Sequence, residues 1–354
     1  MRDRSEKMHT GGSESRAGLF RGRRTARLQF FAGIAVSLAI VVIIVSRIDF
    51  GAIRLPLSRL KLWWVPSMIS VYFAGFLVRG VRARLLLSGL KTVSFSTATE
   101  GVFIGYLGNT VLPARAGELA RAFFVGNRTS ISRTSVLGTV IVERIFDGFA
   151  ILAILGATLF FCHAAGRYQV VRQIMGVGSM LFGFLAVAVV FGARRRSWFE
   201  GLIAKLLSRL PASAAEKSKS LTGKLLDSLG PLKSSRVLIE VLLLSALTWC
   251  VEGFVFLFGL LAFGQPGYLT TAYLTMSFVN LGLILPSAPA GIGVFQAGVV
   301  LAFSVFGLSA ELALIYSLLI QGVMVATIVT VGLLILNIRG MTLSKIHEEH
   351  GEQT

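Results

Sequence analysis

The chain has 354 residues, 54% of them hydrophobic, with 26 Phe and only 15% charged side chains, where soluble domains carry roughly a quarter. Apolar runs of about 20 residues are long enough to cross a bilayer, which excludes a soluble globular protein and makes the chain an all-α polytopic membrane protein. The net charge of +18 would point to nucleic acid in a soluble protein. Here the basic residues lie between apolar runs, where they set topology and meet anionic headgroups, so no nucleic-acid partner is expected.

Residues 1–27 carry eight Arg/Lys against three acids and no apolar core, which reads as a disordered basic cytoplasmic tail. The apolar run 28–46 reads as an uncleaved first span, because no small-residue cleavage pattern closes it. From 47 to 61, Arg47, Arg54, Arg59 and Lys61 interleave with leucines, the pattern of a segment lying on the outer face of the bilayer. Trp63 and Trp64 mark a membrane boundary. The second span is expected over 62–78, ending at Arg79, Arg82 and Arg84, with 79–91 in the cytoplasm.

The stretch 95–125 is too interrupted for one span. Pro113 and Gly117 break it, and it carries Arg115, Glu118 and Arg121. Broken backbone at membrane depth is tolerated only where protein buries it or where it lines a wet cavity, so a re-entrant helical hairpin is predicted. The third span, 135–161, contains Glu143, Arg144 and Asp147; an outer loop (162–171) and a fourth span (173–192) follow. Residues 193–235 hold nine basic and three acidic side chains. Leu202, Ile203, Leu206, Leu207 and Leu210 recur there at helical spacing, as in a cytoplasmic amphipathic segment. The fifth span, 237–263, contains Glu252.

A second interrupted segment, 269–306, is broken by Asn280, Pro286, Pro289, Gly291 and Gly293. The sixth span, 311–336, leads to a cytoplasmic tail at 337–354. The transmembrane domain is therefore 28–336, with about six full spans, two broken re-entrant hairpins and both termini in the cytoplasm. Hairpins from opposite sides, each followed by a long span, predict an inverted repeat with a substrate site where the broken helices meet. Asn109 with Leu112-Pro113 and Asn280 with Leu285-Pro286 carry the internal similarity.

The candidate substrate-binding residues are Asn109, Arg115, Glu118, Arg121, Glu143, Arg144, Asp147, Asn280, Gly291, Gly293 and Gln296. Ionisable side chains inside a membrane mark functional sites by default, and arginine pairs with phosphate through two parallel hydrogen bonds. Each group also has a structural reading. Glu118 lies three residues from Arg115 and from Arg121, so the three could pin the hairpin as an ion-pair network. Arg144 could neutralise Glu143 or Asp147, which share a helix face. Asn109 could cap a helix, and the prolines and glycines of the second hairpin could serve close packing. Glu252 either faces the cavity or pairs with an arginine elsewhere, and Gln321 stands where Glu143 stands in the first half.

Cys162 and Cys250 are the two cysteines, and Cys250, within an apolar run, reads as a packed thiol. With no CxxC, HExxH, nucleophile elbow or Walker loop, no metal, cofactor or catalytic residue is expected.

At Leu112-Pro-Ala-Arg-Ala-Gly-Glu-Leu-Ala-Arg121, at Val142-Glu-Arg-Ile-Phe-Asp147 and at Pro289-Ala-Gly-Ile-Gly-Val-Phe295, the chain resembles the flippase-like membrane region of lysylphosphatidylglycerol synthases and its stand-alone relatives. The resemblance spans about 30–340. Two positions depart from the family pattern: Ala290-Gly291 stands for a Gly-Gly pair, and Gln296 for a frequent Glu. The resemblance implies a bacterial inner-membrane protein that handles or translocates an anionic or polyprenyl-linked lipid; the soluble aminoacyl-transfer domain has no place in this sequence. A non-transporting scaffold for a lipid- or glycan-modifying enzyme is the alternative, and a membrane enzyme using Glu143 or Asp147 a third. A second copy of the chain or a lipid-biosynthesis enzyme are the protein partners these readings admit.

Overall fold

The computed structural model describes residues 35, 37–46, 48, 49, 51–112, 116–161, 169–207, 212–284 and 288–340. Regular structure among the described residues is helical throughout. In order these are α1 (Ser37–Ser46), α2 (Arg54–Ser58), α3 (Val65–Leu87), α4 (Phe95–Val111), α5 (Gly117–Thr129), α6 (Arg133–Phe161), α7 (Gln169–Arg194), α8 (Arg196–Leu207), α9 (Ala212–Ser228), α10 (Ser235–Ala262), α11 (Leu269–Gly282), α12 (Val294–Val305) and α13 (Ala310–Ile338). Among the described residues, four helical stretches are long and apolar enough to cross a membrane: Leu62–Leu87, Gly176–Arg194, Ser235–Ala262 and Ala310–Ile338. Helix α6, at 29 residues, has the length as well and buries its two carboxylates, Glu143 and Asp147, within the protein. Residues 28–34 and 36 of the expected first span, residues 1–27 and 341–354 of the tails, and the stripe members Leu202, Ile203, Leu206, Leu207 and Leu210 lie outside the described residues or side chains.

Local chemistry sets several helix ends. Ser94 accepts from the Thr97 N–H at the start of α4 (3.1 Å), and Ser309 accepts from the Leu312 N–H at the start of α13 (3.3 Å). Each satisfies one of the N–H groups that a first turn leaves without a partner. Pro66 sits in the first turn of α3, where its missing N–H costs nothing.

One boundary differs from the expectation. The second span does not end at Arg79: α3 continues to Leu87, and Arg79 and Arg82 are each only 1% exposed. Leu85, Leu86 and Leu87 carry the apolar run beyond the arginines, and carboxylates on other helices receive the charges. Arg79 and Arg82 are thus interior, while Arg84, Ser88, Gly89 and Lys91 stay exposed. Cys250 also differs, being exposed on α10 rather than packed.

Helices α3 and α10 run antiparallel along most of their length. The Lys61 N–H donates to the Ala262 carbonyl (2.7 Å), and Trp64 stacks on Phe258 with centroids 5.5 Å apart. Further along, Arg82 Nη1 donates to Ser245 Oγ (2.8 Å), and Gly89 abuts Pro231 just before α10. Each of the two helices is followed by a broken hairpin and a long helix: α4–α5 then α6 after α3, and α11–α12 then α13 after α10. The cross-contacts match, with α4 packing on α13 and α11 on α6. Equivalent helices that run antiparallel are related by an axis lying across them, so the two halves form an inverted repeat. Helices α7, α8 and α9 join the halves. Val177, Met180, Phe184 and Val187 of α7 are exposed, as suits a helix facing lipid.

Candidate functional site

The first hairpin closes on glycine and an amide. The Gly117 N–H donates to Asn109 Oδ1 (3.0 Å), and Asn109 Nδ2 donates to Glu118 Oε1 (3.2 Å). Asn109 thus caps α5 from the end of α4. A Cβ at Gly117 would overlap the Gly105 carbonyl oxygen, so only glycine lets the two arms approach this closely. Pro113 and Arg115 lie outside the described residues.

Behind the hairpin is a network of buried ion pairs. Arg121 donates through Nη1 and Nη2 to the two oxygens of Glu143, both at 2.7 Å. Arg82 bonds both oxygens of Asp147, Nη2 to Oδ2 at 3.1 Å, and stands 3.7 Å from Glu143. Trp249 Nε1 donates to Asp147 Oδ1 (2.9 Å). Arg79 bonds Glu252 beneath the rings of Phe76, Tyr106 and Trp249, which lie 5.6, 5.3 and 5.3 Å from its guanidinium carbon. A buried charge is tolerated when it is paired and hydrogen-bonded, and each of these is. Arg121 therefore does not close a network within the hairpin; it ties α5 to α6. Glu252 has its arginine in α3.

The second hairpin is held by neutral groups. Ala290 (φ 58), Gly291 (φ 75) and Gly293 (φ 87) adopt left-handed backbone, which Gly enters freely and Ala at a cost. A Gly-Gly pair would suit the first two positions, so Ala290 departs from the family pattern at a strained residue. The Gly293 N–H donates to Gln296 Oε1 (2.7 Å), Gln296 Nε2 to Gln321 Oε1 (2.6 Å) and Gln321 Nε2 to the Ala290 carbonyl (2.9 Å). Gln296 and Gln321 thus join α12 to α13 as Arg121 and Glu143 join α5 to α6. Ser37 of α1 accepts from the Ala288 N–H (2.9 Å), and Asn280 Nδ2 bonds the Met276 carbonyl (2.9 Å). Pro286 lies outside the described residues.

Between the two halves is a cavity of about 450 Å³. Of the expected residues, Asn109, Glu118, Arg144, Asp147, Asn280 and Gly291 line it. Arg121, Glu143, Gly293 and Gln296 are not on its wall; they brace the residues that are. Sequence reasoning missed Arg79, Arg82, Trp249 and Tyr106; the leucines continuing beyond Arg82 were the available signal. The wall also carries apolar side chains, among them Ile284, Phe295, Met324 and Ile328. Arg144 is the arginine on the wall among the described residues. Its side chain is 41% exposed, with Nε 3.8 Å from Glu118 Oε1 and Nη1 3.6 Å from Asp147 Oδ2, both longer than a direct hydrogen bond. Its guanidinium carbon lies 5.5 Å from the Tyr106 ring centroid. Among the described residues, no group of three His, Cys, Asp or Glu could hold a metal ion.

The chain is 25% identical over 320 residues to a protein named Glycosyltransferase AglD from Haloferax volcanii, covering 81% of this chain and 50% of that one. The chain therefore spans half the length of that relative. A UPF0104 membrane protein from Methanothermobacter thermautotrophicus is 26% identical over 301 residues, covering 81% of this chain and 86% of the relative. No solved structure matches. The family model described as the lysylphosphatidylglycerol synthase TM region matches residues 30–332, and the chain belongs to that family.

Proposed function

We propose that the protein moves a lipid with an anionic, phosphate-bearing headgroup, free or polyprenyl-linked, across the inner (plasma) membrane. Its basic face and both termini lie in the cytoplasm. The observation that carries this reading is Arg144, a cavity-facing guanidinium whose nearest described carboxylates stand 3.6 and 3.8 Å away, beyond direct hydrogen-bond distance, in a site whose other described arginines are committed to direct ion pairs. Guanidinium and phosphate match in geometry and charge. The apolar side chains of the wall accommodate the first carbons of the tail, while the remainder of the tail stays in lipid.

The test is movement of a fluorescent phosphatidylglycerol by purified protein in liposomes. Wild type is expected to move it and Arg144→Gln to fail at unchanged protein content; equal rates would sink the reading. A second reading is favoured by the relative named a glycosyltransferase, half of which this chain matches: the protein holds a lipid for a partner enzyme without moving it. Saturable lipid binding with no movement by wild type would select that alternative.

A further inference from the structure

Glu118 stands apart from the other carboxylates of the cluster. Glu143, Asp147 and Glu252 each accept direct hydrogen bonds from a buried arginine. Glu118 accepts from the Asn109 amide at 3.2 Å and approaches Arg144 only to 3.8 Å, with its side chain 33% exposed. It lies in the first turn of α5, where the N-terminal end of the helix favours a negative charge whether or not Arg144 is near. Asp147, the other carboxylate beside Arg144, is occupied by Arg82 and Trp249. Among the described residues, Glu118 is thus the counter-ion of Arg144 that can leave at least cost.

The charge sum points the same way. Among the described residues, Arg79, Arg82, Arg121 and Arg144 match Glu118, Glu143, Asp147 and Glu252 one for one, and Glu118 stands 3.8 Å from Arg144, so an anion arriving at Arg144 must compete with a carboxylate already there. We propose that Glu118 is an exchangeable counter-ion: a phosphate displaces it from Arg144, and its return expels the phosphate. Resting on the lipid-binding reading above, this makes Glu118 the residue that sets how weakly the headgroup is held. A carrier needs such weakness, because differences in affinity among variants of one site appear chiefly as differences in release rate. Asn109 is the positioning residue, keeping the carboxylate within reach while it is displaced.

The experiment titrates short-chain phosphatidylglycerol into full-length protein held in phosphatidylcholine nanodiscs, comparing wild type, Glu118→Gln and Glu118→Asp. Loss of a competing, partly exposed ion pair should tighten binding about fivefold in Glu118→Gln. Glu118→Asp keeps the charge but shortens its reach, and should fall between. In liposomes, Glu118→Gln should half-saturate at lower lipid and show a reduced maximal rate. A merely structural residue would not give that opposed pair of changes. Equal or weaker phosphatidylglycerol binding by a Glu118→Gln protein that melts like wild type overturns the proposal. If Glu118→Gln does not fold, Glu118→Asp decides by the same sign. Tighter binding with no lipid movement by wild type upholds the exchange and removes transport, so the two ideas fail separately.

Discussion

At the scale of single residues, the arginines divide by what surrounds them. Arg82 and Asp147 are buried and bonded to each other, and removing one partner leaves the other charged and unpaired at about 3–5 kcal/mol. Arg82→Ala and Asp147→Asn should each lower the melting temperature in detergent sharply, read by dye-based thermal unfolding, whereas Arg144→Gln should melt close to wild type. Equal melting of all three would refute the division. The sequence pointed to Glu143 and Asp147 as partners on one helix face, and Arg82 does lie beside both. It did not reveal Arg79 and Arg82 as interior, because an arginine closing an apolar run usually marks the membrane surface; the signal that they are enclosed is the run of leucines after them. Nor could spacing show that Arg121 turns from Glu118, three residues away, toward Glu143. That choice depends on which face of α5 meets α6.

At the scale of elements, the two hairpins are alike in outline and unlike in what holds them. Interrupted apolar segments with proline, glycine and asparagine were enough to find both. Their bracing was less legible: Gln321 was recognisable only as a counterpart of Glu143, and Ser37, which closes the second break from α1, gave no signal. In the first hairpin an ion pair joins the second arm to the following long helix; in the second, two glutamines do. Gln321→Leu would leave the Gln296 amide and the Ala290 carbonyl without partners, about 1–3 kcal/mol for each buried group. Hydrogen exchange is expected to quicken at the Gly293 amide while the Gly117 amide keeps its protection; a uniform change in both would contradict independent bracing. Gly117→Ala should do the reverse, since its Cβ would overlap the Gly105 carbonyl oxygen and force the first hairpin open.

At the scale of the whole molecule, one end gathers Arg128, Arg133, Arg194, Arg195, Lys233 and Arg339, and the bias of basic residues makes it the end proposed to face the cytoplasm. Single cysteines at Ser220 and Ser58, in a background with Cys162 and Cys250 replaced, should react with an impermeant maleimide from opposite sides, Ser220 from the cytoplasm. Labelling from one side alone would refute the side assignment. The inverted arrangement also has a consequence for how the protein is made. Arg79 is synthesised 173 residues before Glu252, the carboxylate that answers it. Until α10 emerges, the nascent α3 carries a cation that hydrocarbon will not accept, so its insertion stays provisional and biogenesis is committed only when the second half arrives. A chain terminated before 235 should be cleared by membrane proteases in a pulse-chase, while separately synthesised halves divided at 208–211 should rescue one another.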